Sequence, residues 1–564
     1  MTMADSPLST DSSSESPDSA RARRLRHTLA AITTIFAAVF IFTHLGHYAL
    51  WDDEANTALI GEGVWQTGDT SAILGKNIVA YNGGVELSHW KERYLPPLQY
   101  YAVAPFVGLW PGSAFAARFP FAVFGFFSIV LILWWLCRAR ISPLTLLLTA
   151  MAFIGNVSLW LYLRQCRYYS LSIFFSIAIV YLYVAPHRRR WTFPLLAFLS
   201  IGLLASNYIS YAALYGILTI DWLLWSRRRC RISPQGALWL LLPQIAISSL
   251  IVLTWDPLNK QIFGGGGPGL FDRLRLFRWA WRDLNRCEFA VLAVLIAAPL
   301  VALWHRDGLL LRACLALVGY VLIVVAITPQ NPSLPMNPVL QPIRLFDVRY
   351  LAPAIPLMIA VSVLTIVRLF PGPGWWPALT LGAIAFGTNV LNGGSLVGHD
   401  ALDRRVPIAH SAVLLYAGEL LDPPADPYTL TANWINANVQ PDRSVWVLPQ
   451  YMTYPLMFHA PRPLYAWQLP QNPSADLRGL APLMYKGGPI PDYLICFGPD
   501  ALRIIHGIRF PPSIRAQKLA MIDFYWHDLY RPELGWRVFT PVTNYRADTE
   551  AIQIFRLQKL TTPH

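Results

Sequence analysis

Residues 28–54 read TLAAITTIFAAVFIFTHLGHYALWDDE. Up to Leu50 the stretch is long and apolar enough to cross a hydrocarbon layer of ~30 Å, which takes about 20 residues of helix. A basic run, Arg21-Ala-Arg-Arg-Leu-Arg26, precedes it. That order is the order of a secretory signal, but the apolar part outruns a signal's short core and lacks a small-residue cleavage site. It predicts an uncleaved first span. At its exit stand Trp51 and three successive acids, Asp52, Asp53 and Glu54, in a chain with only 32 acidic residues. Ionisable groups at membrane depth are expensive and tend to be functional. The same acids also suit the start of a helix over residues 54–65, with Asp52 or Asp53 as its cap.

The pattern of the first span recurs along the chain. Of the 564 residues, 55% are hydrophobic and 14% charged, more apolar surface than soluble cores bury. Short basic clusters separate the apolar runs: Arg138-Ala-Arg140, Arg188-Arg-Arg190, Arg227-Arg-Arg229 and His305-Arg306. Cationic loops stay on the cytoplasmic side during insertion. The net charge of +13 therefore reads as topology and not as a nucleic-acid footprint, which would gather on one face or tail. Holding every cluster inside gives about eleven spans. They fall near 28–50, 113–137, 142–160, 168–186, 191–206, 207–225, 235–255, 288–304, 309–328, 349–370 and 375–391. Residues 95–111 are apolar but short, interrupted by prolines and closed by Pro-Gly. A full crossing there would put Arg138 and Arg140 outside, so a re-entrant or surface-lying segment is expected.

Residues 1–27, rich in Ser, Asp and Pro before the basic run, read as a disordered cytoplasmic tail. Beyond Asn392 the character changes again. Residues 393–564 carry scattered charges, many prolines and short apolar runs at 444–448, 493–497, 536–542 and 552–557, with a helical stretch at 429–439. This predicts a small extracytoplasmic α/β domain. The expected fold is thus an α-helical multi-pass membrane protein with a C-terminal α/β domain on the outer side. The six cysteines, at 137, 166, 230, 287, 314 and 496, show neither a paired spacing nor a zinc pattern.

Three outward loops carry cations. The first, residues 51–112, ends its polar part with His89, Lys91 and Arg93. The second holds Arg164, Arg167 and Tyr168, and the third Arg344, Asp347, Arg349 and Tyr350. Outer arginines run against the charge bias. A phosphate at the membrane surface would account for them, because Arg grips phosphate oxygens bidentately; snorkelling toward headgroups is the alternative. An acid beside a phosphate site suits glycosyl transfer, with the carboxylate taking a proton from an attacking hydroxyl. Fixed cations would stabilise the charge growing on the departing phosphate. The 22 Trp, 25 Tyr and 28 Phe fit sugar stacking and interfacial belts equally.

Five segments, in order, resemble the integral-membrane GT-C glycosyltransferases of the branch that holds protein O-mannosyltransferases and the lipid A aminoarabinose transferase. They are Trp51-Asp-Asp-Glu-Ala55, Arg93-Tyr-Leu-Pro-Pro-Leu-Gln-Tyr-Tyr101, Ala116-Ala-Arg-Phe-Pro-Phe-Ala-Val-Phe-Gly125, residues 164–170 and Arg349-Tyr-Leu-Ala-Pro353. The resemblance implies a polyprenyl-phosphate sugar donor, an inverting transfer and surface helices around the site. By the same resemblance Asp53, with Glu54 beside it, is the catalytic acid pair. Arg167 and Arg349 then face the lipid phosphate, with Arg93 and Arg164 as further phosphate contacts. Asp52, His89, Lys91, Tyr168 and Tyr350 are substrate-binding candidates. Two departures stand out: Leu95 occupies the place of a lysine in aminoarabinose-transferase-like members, and Arg-Tyr-Tyr fills the second loop where some relatives have an aspartate.

The expected partners are the polyprenyl-phosphate-linked sugar, the bilayer, and a lipid, glycan or protein acceptor at the outer face of a bacterial inner membrane. No nucleic acid or required cofactor is expected; weak assistance by a divalent metal stays open but is not indicated, since two adjacent acids fall short of a ligand set. A flippase for a lipid-linked sugar and a non-catalytic envelope assembly protein are the alternatives. A transporter would show repeated halves and broken mid-membrane helices, and no repeat is visible.

Overall fold

A computed structural model describes residues 17–184, 191–226, 232–257, 269–287, 292–330, 346, 348–372, 374–388, 390–391, 411–423, 425–497, 513–522 and 551–559. Helix α1 runs Pro17–Phe42. Residues 17–27 are therefore helical where a disordered tail was expected, because the Ala, Arg and Leu of the basic run are strong helix formers. The first span also ends eight residues early. Residues 43–50 turn back through the protein, with Leu45, Ala49 and Leu50 at most 2% exposed.

Helix α2, Asp52–Thr67, begins where that turn ends. It lies against α3, Leu98–Leu109, at close range: a Cβ on Gly61 would stand 2.4 Å from Val103 Cγ1, and one on Gly108 2.2 Å from the Trp65 ring. At 12 residues, α3 is roughly 18 Å long, too short to cross a membrane. Two small hairpins join the pair: β1 Ile73–Leu74 with β2 Asn77–Ile78, and β3 Leu87–Ser88 with β4 Lys91–Glu92. The second turns through His89 and Trp90, both at positive φ (50° and 66°), as a two-residue hairpin loop demands.

The bundle continues with α4 Ala114–Arg138, α5 Pro143–Gly155, α6 Val157–Arg164, α7 Tyr169–Val184, α8 Thr192–Ser206, α9 Tyr208–Asp221 and α10 Pro234–Thr254. It closes with α11 Leu270–Cys287, α12 Leu292–Trp304, α13 Gly308–Ile327, a 3-10 turn at Val348–Ala354, α14 Ile355–Leu369 and α15 Trp376–Gly387. Among the described residues, six helices are long and apolar enough to cross a membrane, and α5 with α6, bent by 68°, brings the number to seven. These seven occupy seven of the eleven expected positions. The other four expected positions hold α7, α8, α12 and α15, apolar helices of 10–17 residues, roughly 15–25 Å at 1.5 Å per residue. Bulky apolar side chains point outward from the bundle, among them Phe198 (67% exposed), Leu253 (83%) and Trp304 (86%), as a lipid-facing surface requires.

Basic helix ends make local contacts. Cys137, next to Arg138, touches the Arg26 carbonyl. Arg312 of α13 grips Asp221 at the end of α9 at 2.7 Å, and Arg368 of α14 binds Asp307, the cap of α13.

The C-terminal part builds a five-stranded mixed sheet from β5 Ser444–Leu448, β6 Leu464–Tyr465, β7 Tyr493–Phe497, β8 Ile514–Ile522 and β9 Ile552–Lys559, in the order β6-β5-β7-β9-β8. Strand β5 is parallel to β6 and β7; β9 is antiparallel to β7 and β8. Helices α16 Ala412–Leu421, α17 Pro427–Asn438 and α18 Thr453–His459 accompany it. The sheet domain docks on the 51–112 segment. Asn77 accepts from Tyr465 N–H at 2.9 Å and donates to the Pro463 carbonyl at 3.0 Å. The expected strand at 536–542, the tail before residue 17, the clusters 188–190 and 227–229, Arg344 and Asp347 lie outside the described residues.

Candidate active site

Helix α2 starts on its three acids, and negative charge at a helix N-terminus meets the positive end of the dipole. Neither Asp52 nor Asp53 is the cap, as had been expected; Trp51 holds that position. Glu54, at the third helical position, reaches back to the Trp51 N–H at 3.4 Å, the reciprocal half of a capping box.

The three acids then part company. Asp53 is 3% exposed and sits between two guanidiniums. Its Oδ1 lies 3.1 Å from Arg167 Nη2, and its Oδ2 accepts from Arg349 Nη1. Burial alone would raise its pKa, but the charges of Arg167 and Arg349 outweigh burial and hold the carboxyl below the usual range. Asp52 accepts from the Tyr81 hydroxyl at 3.1 Å and from the Asp53 N–H at 2.7 Å. Burial, reinforced by the neighbouring Asp53 charge, pushes it up to about 8. Glu54 points elsewhere. It accepts from Arg118 and from the Cys166 N–H at 2.8 Å, tying α2 to α4 and to the break between α6 and α7.

That break makes the cationic side. Helix α6 stops at Arg164, α7 starts at Tyr169, and the linker folds on itself through Arg167 N–H to Gln165 O at 2.7 Å. Arg167 thereby reaches both Asp53 and the Thr57 hydroxyl, at 2.9 Å, while its ring neighbour Tyr168 lies 5.6 Å from its guanidinium carbon. Arg349 comes from the 3-10 turn Val348–Ala354 and, with 23% of its side chain exposed, is the accessible member of the trio. Tyr350 is half-buried beside it.

The remaining sequence candidates stand apart from Asp53. Arg164 donates to the Phe40 and Thr43 carbonyls and to Tyr416 Oη, closing the end of α1. Arg93 binds Asp69 at 2.7 Å and Thr70 at 3.1 Å and covers the Trp255 ring at 4.3 Å. Lys91 meets the same Asp69 at 2.7 Å. His89 is exposed, and its N–H donates to Asp476 at 3.3 Å. Arg118, Thr57 and Tyr81 carried no role in the sequence reading. For Arg118 a signal existed, a lone guanidinium inside the apolar run 113–137, where charges are seldom idle.

Asp52 and Asp53 have no third His, Cys, Asp or Glu in a metal-like group among the described residues. A cavity of about 60 Å³ opens beside Glu54, Arg118 and Arg164.

No protein-family model and no curated protein matches the chain. Solved structures do. ArnT from Cupriavidus metallidurans in the apo state superposes at TM-score 0.52 with 14% identity, over 88% of this chain and 96% of that one. ArnT from the same organism bound to undecaprenyl phosphate gives 0.51 and 14%, over 95% and 99%. This chain has the ArnT fold. Arabinofuranosyltransferase AftD from Mycobacteria matches at TM-score 0.44 and 15% identity, with 95% of this chain spanning 41% of that longer one. The ArnT-like likeness takes in both the helical bundle and the C-terminal sheet domain, so the fold expected from the sequence is the fold observed.

Proposed function

We propose that the chain is a glycosyltransferase that moves a sugar from a polyprenyl-phosphate donor to a lipid, glycan or protein acceptor at the outer face of a bacterial inner membrane. One observation carries the reading: in an ArnT-like fold, Asp53 is clamped between Arg167 and Arg349. The donor's phosphate competes for the same two guanidiniums, since both bind oxyanions in charge-assisted pairs. As the phosphate takes them, Asp53 loses the charges that depress its pKa and becomes a stronger base. It then accepts the proton of the acceptor hydroxyl. That oxygen attacks the anomeric carbon from the face opposite the phosphate, the carbon–oxygen bond to phosphate breaks, and the electron pair leaves on the phosphate with inversion at carbon. Arg167 and Arg349 stabilise the charge that develops there. The base is armed only when the donor is in place.

The test uses the native host. The gene is deleted and complemented with the wild type or Asp53→Asn, and mass spectrometry compares polyprenyl-phosphate sugars, envelope lipids, glycans and glycoproteins. A sugar missing from one acceptor class and restored only by the wild type supports the reading. Full restoration by Asp53→Asn would sink it.

A further inference from the structure

The 51–112 segment buries a second pair of acids that the transfer chemistry above does not use. Glu86 is 3% exposed and Glu92 1%. They stand on either side of the β3–β4 hairpin, where the Glu86 carbonyl accepts from the Arg93 N–H at 3.2 Å and Leu87 pairs with Glu92. Glu92 Oε1 accepts the N–H groups of Tyr94 and Leu95 at 2.8 and 3.0 Å. Glu86 Oε2 accepts that of Asn82 at 3.2 Å, while Glu86 Oε1 is buried with no partner. Among the described residues neither acid forms an ion pair.

Other orphans surround them. The Tyr100 side chain is 0% exposed and its hydroxyl has no partner; the Tyr208 hydroxyl and Arg167 Nε are likewise buried and unmatched. Thr57 links Arg167, at 2.9 Å, to the Gln99 side chain, at 3.5 Å, one residue before Tyr100, and Glu92, Glu86, Arg167 and Tyr208 all act electrostatically on Tyr100. Buried polar atoms are nearly always paired in a finished structure. Here one acid, two phenols and one guanidinium N–H leave donors and acceptors unmatched, and burial lifts both carboxyls, Glu92 to about 8 and Glu86 to about 7. A ligand whose groups both donate and accept would complete the set, and sugar hydroxyls do both. Arg167 connects these groups to the catalytic acid: Nη2 lies on Asp53 and Nη1 on Thr57, with Nε left over.

We propose that Glu92 and Tyr100, backed by Glu86, form the subsite that binds the hydroxyl groups of the transferred sugar and so select the donor. The inference rests on the reading of the chain as a polyprenyl-phosphate sugar transferase. In that setting the lipid phosphate sits on Arg167 and Arg349, and the sugar it carries extends toward Glu92.

The experiment offers the full-length protein, in lipid nanodiscs, the mixed polyprenyl-phosphate lipids extracted from its own host membrane. Native mass spectrometry reads which lipids stay bound. The wild type should enrich one glycosylated species over bare polyprenyl phosphate by about tenfold or more, the scale of one or two hydrogen bonds. Glu92→Gln and Tyr100→Phe should lose that enrichment and still hold bare polyprenyl phosphate, whereas Arg349→Ala should lose both lipids. Enrichment unchanged in both Glu92→Gln and Tyr100→Phe overturns the subsite and leaves the transferase reading standing. A wild type that retains neither lipid overturns both.

Discussion

Arg118 spends all five of its N–H donors on one junction. Nε and Nη2 take the two oxygens of Glu54 at 2.8 and 2.5 Å, and the rest reach the carbonyls of Leu45, Tyr48 and Ala49 at 2.8–3.0 Å. The pair is almost wholly buried, with side chains 9% and 1% exposed. Breaking such a pair strands a charge in the interior, at a cost of about 3–5 kcal/mol. Glu54→Ala and Arg118→Ala should each lower thermal stability in detergent sharply, and the double variant should lose less than the sum. Additive losses would show that the two side chains act independently.

On the proposed reaction, Asp53 and a lipid phosphate would compete for Arg167 and Arg349. Asp53→Asn should therefore bind bare undecaprenyl phosphate more tightly than the wild type while transfer falls by roughly 10²–10⁴-fold, the usual worth of a general base. Binding titration and turnover on the same preparation separate the two effects. Weaker lipid binding by Asp53→Asn would contradict the competition.

Asp52 sets a pH signature. Its pKa is about 8 in the folded chain against about 3.9 in an unfolded one. Between those values the folded state holds the extra proton, so this carboxyl favours folding at low pH and the benefit is lost as pH rises toward 8. Glu92 and Glu86 have the same sign. His459 has the opposite one, since burial lowers it to about 4 and acid below about 6.5 then favours unfolding. Asp52→Asn should flatten the stability profile between pH 5 and 7 by up to about 1.4 kcal/mol per pH unit. Parallel profiles for variant and wild type would rule this out.

How much of this the sequence disclosed depended on the length of each signal. The helical positions were legible because long apolar runs have few alternative structures, and β5, β7 and β9 because each is a run of at least five residues. Hairpins of two-residue strands carry no alternation to read, so β1 to β4 were invisible, and with them the burial of Glu92. Arg167 and Arg349 were found from their excess of charge beside an outer loop. Arg93, Lys91 and Arg164 gave the same signal, yet the fold sends them to Asp69 and to the end of α1. A basic residue announces that it needs a partner without saying which.

Gly125 tests how rigidly the cationic side is placed. A Cβ there would stand 2.4 Å from the Leu163 carbonyl oxygen, and backbone cannot yield as a flexible side chain can. Gly125→Ala should push α6 off α4 at a cost of about 1–3 kcal/mol and displace Arg167. Transfer should then fall further than the loss of folded protein explains, as measured by turnover per folded molecule.

Asp426 links the sheet domain to the turn that leads into α2. Its Oδ2 accepts the Ala49 N–H at 2.7 Å and the Thr429 hydroxyl at 2.8 Å. Asp426→Ala should cost about 1–3 kcal/mol and speed proteolytic release of the C-terminal part. Cleavage at the wild-type rate would mean the docking does not depend on this contact.

The same contact sets a schedule for synthesis. Ala49 and Asp426 are 377 residues apart in sequence, and His459, which accepts from the Leu50 N–H at 3.1 Å, emerges later still. At 5–20 residues per second, roughly 20–75 s separate the making of the acidic turn from the arrival of the residue that fixes it. Through that interval the newborn chain has its acids and the first of its arginines but no finished socket. A copy cut short before Asp426 therefore lacks both contacts that fix the acidic turn.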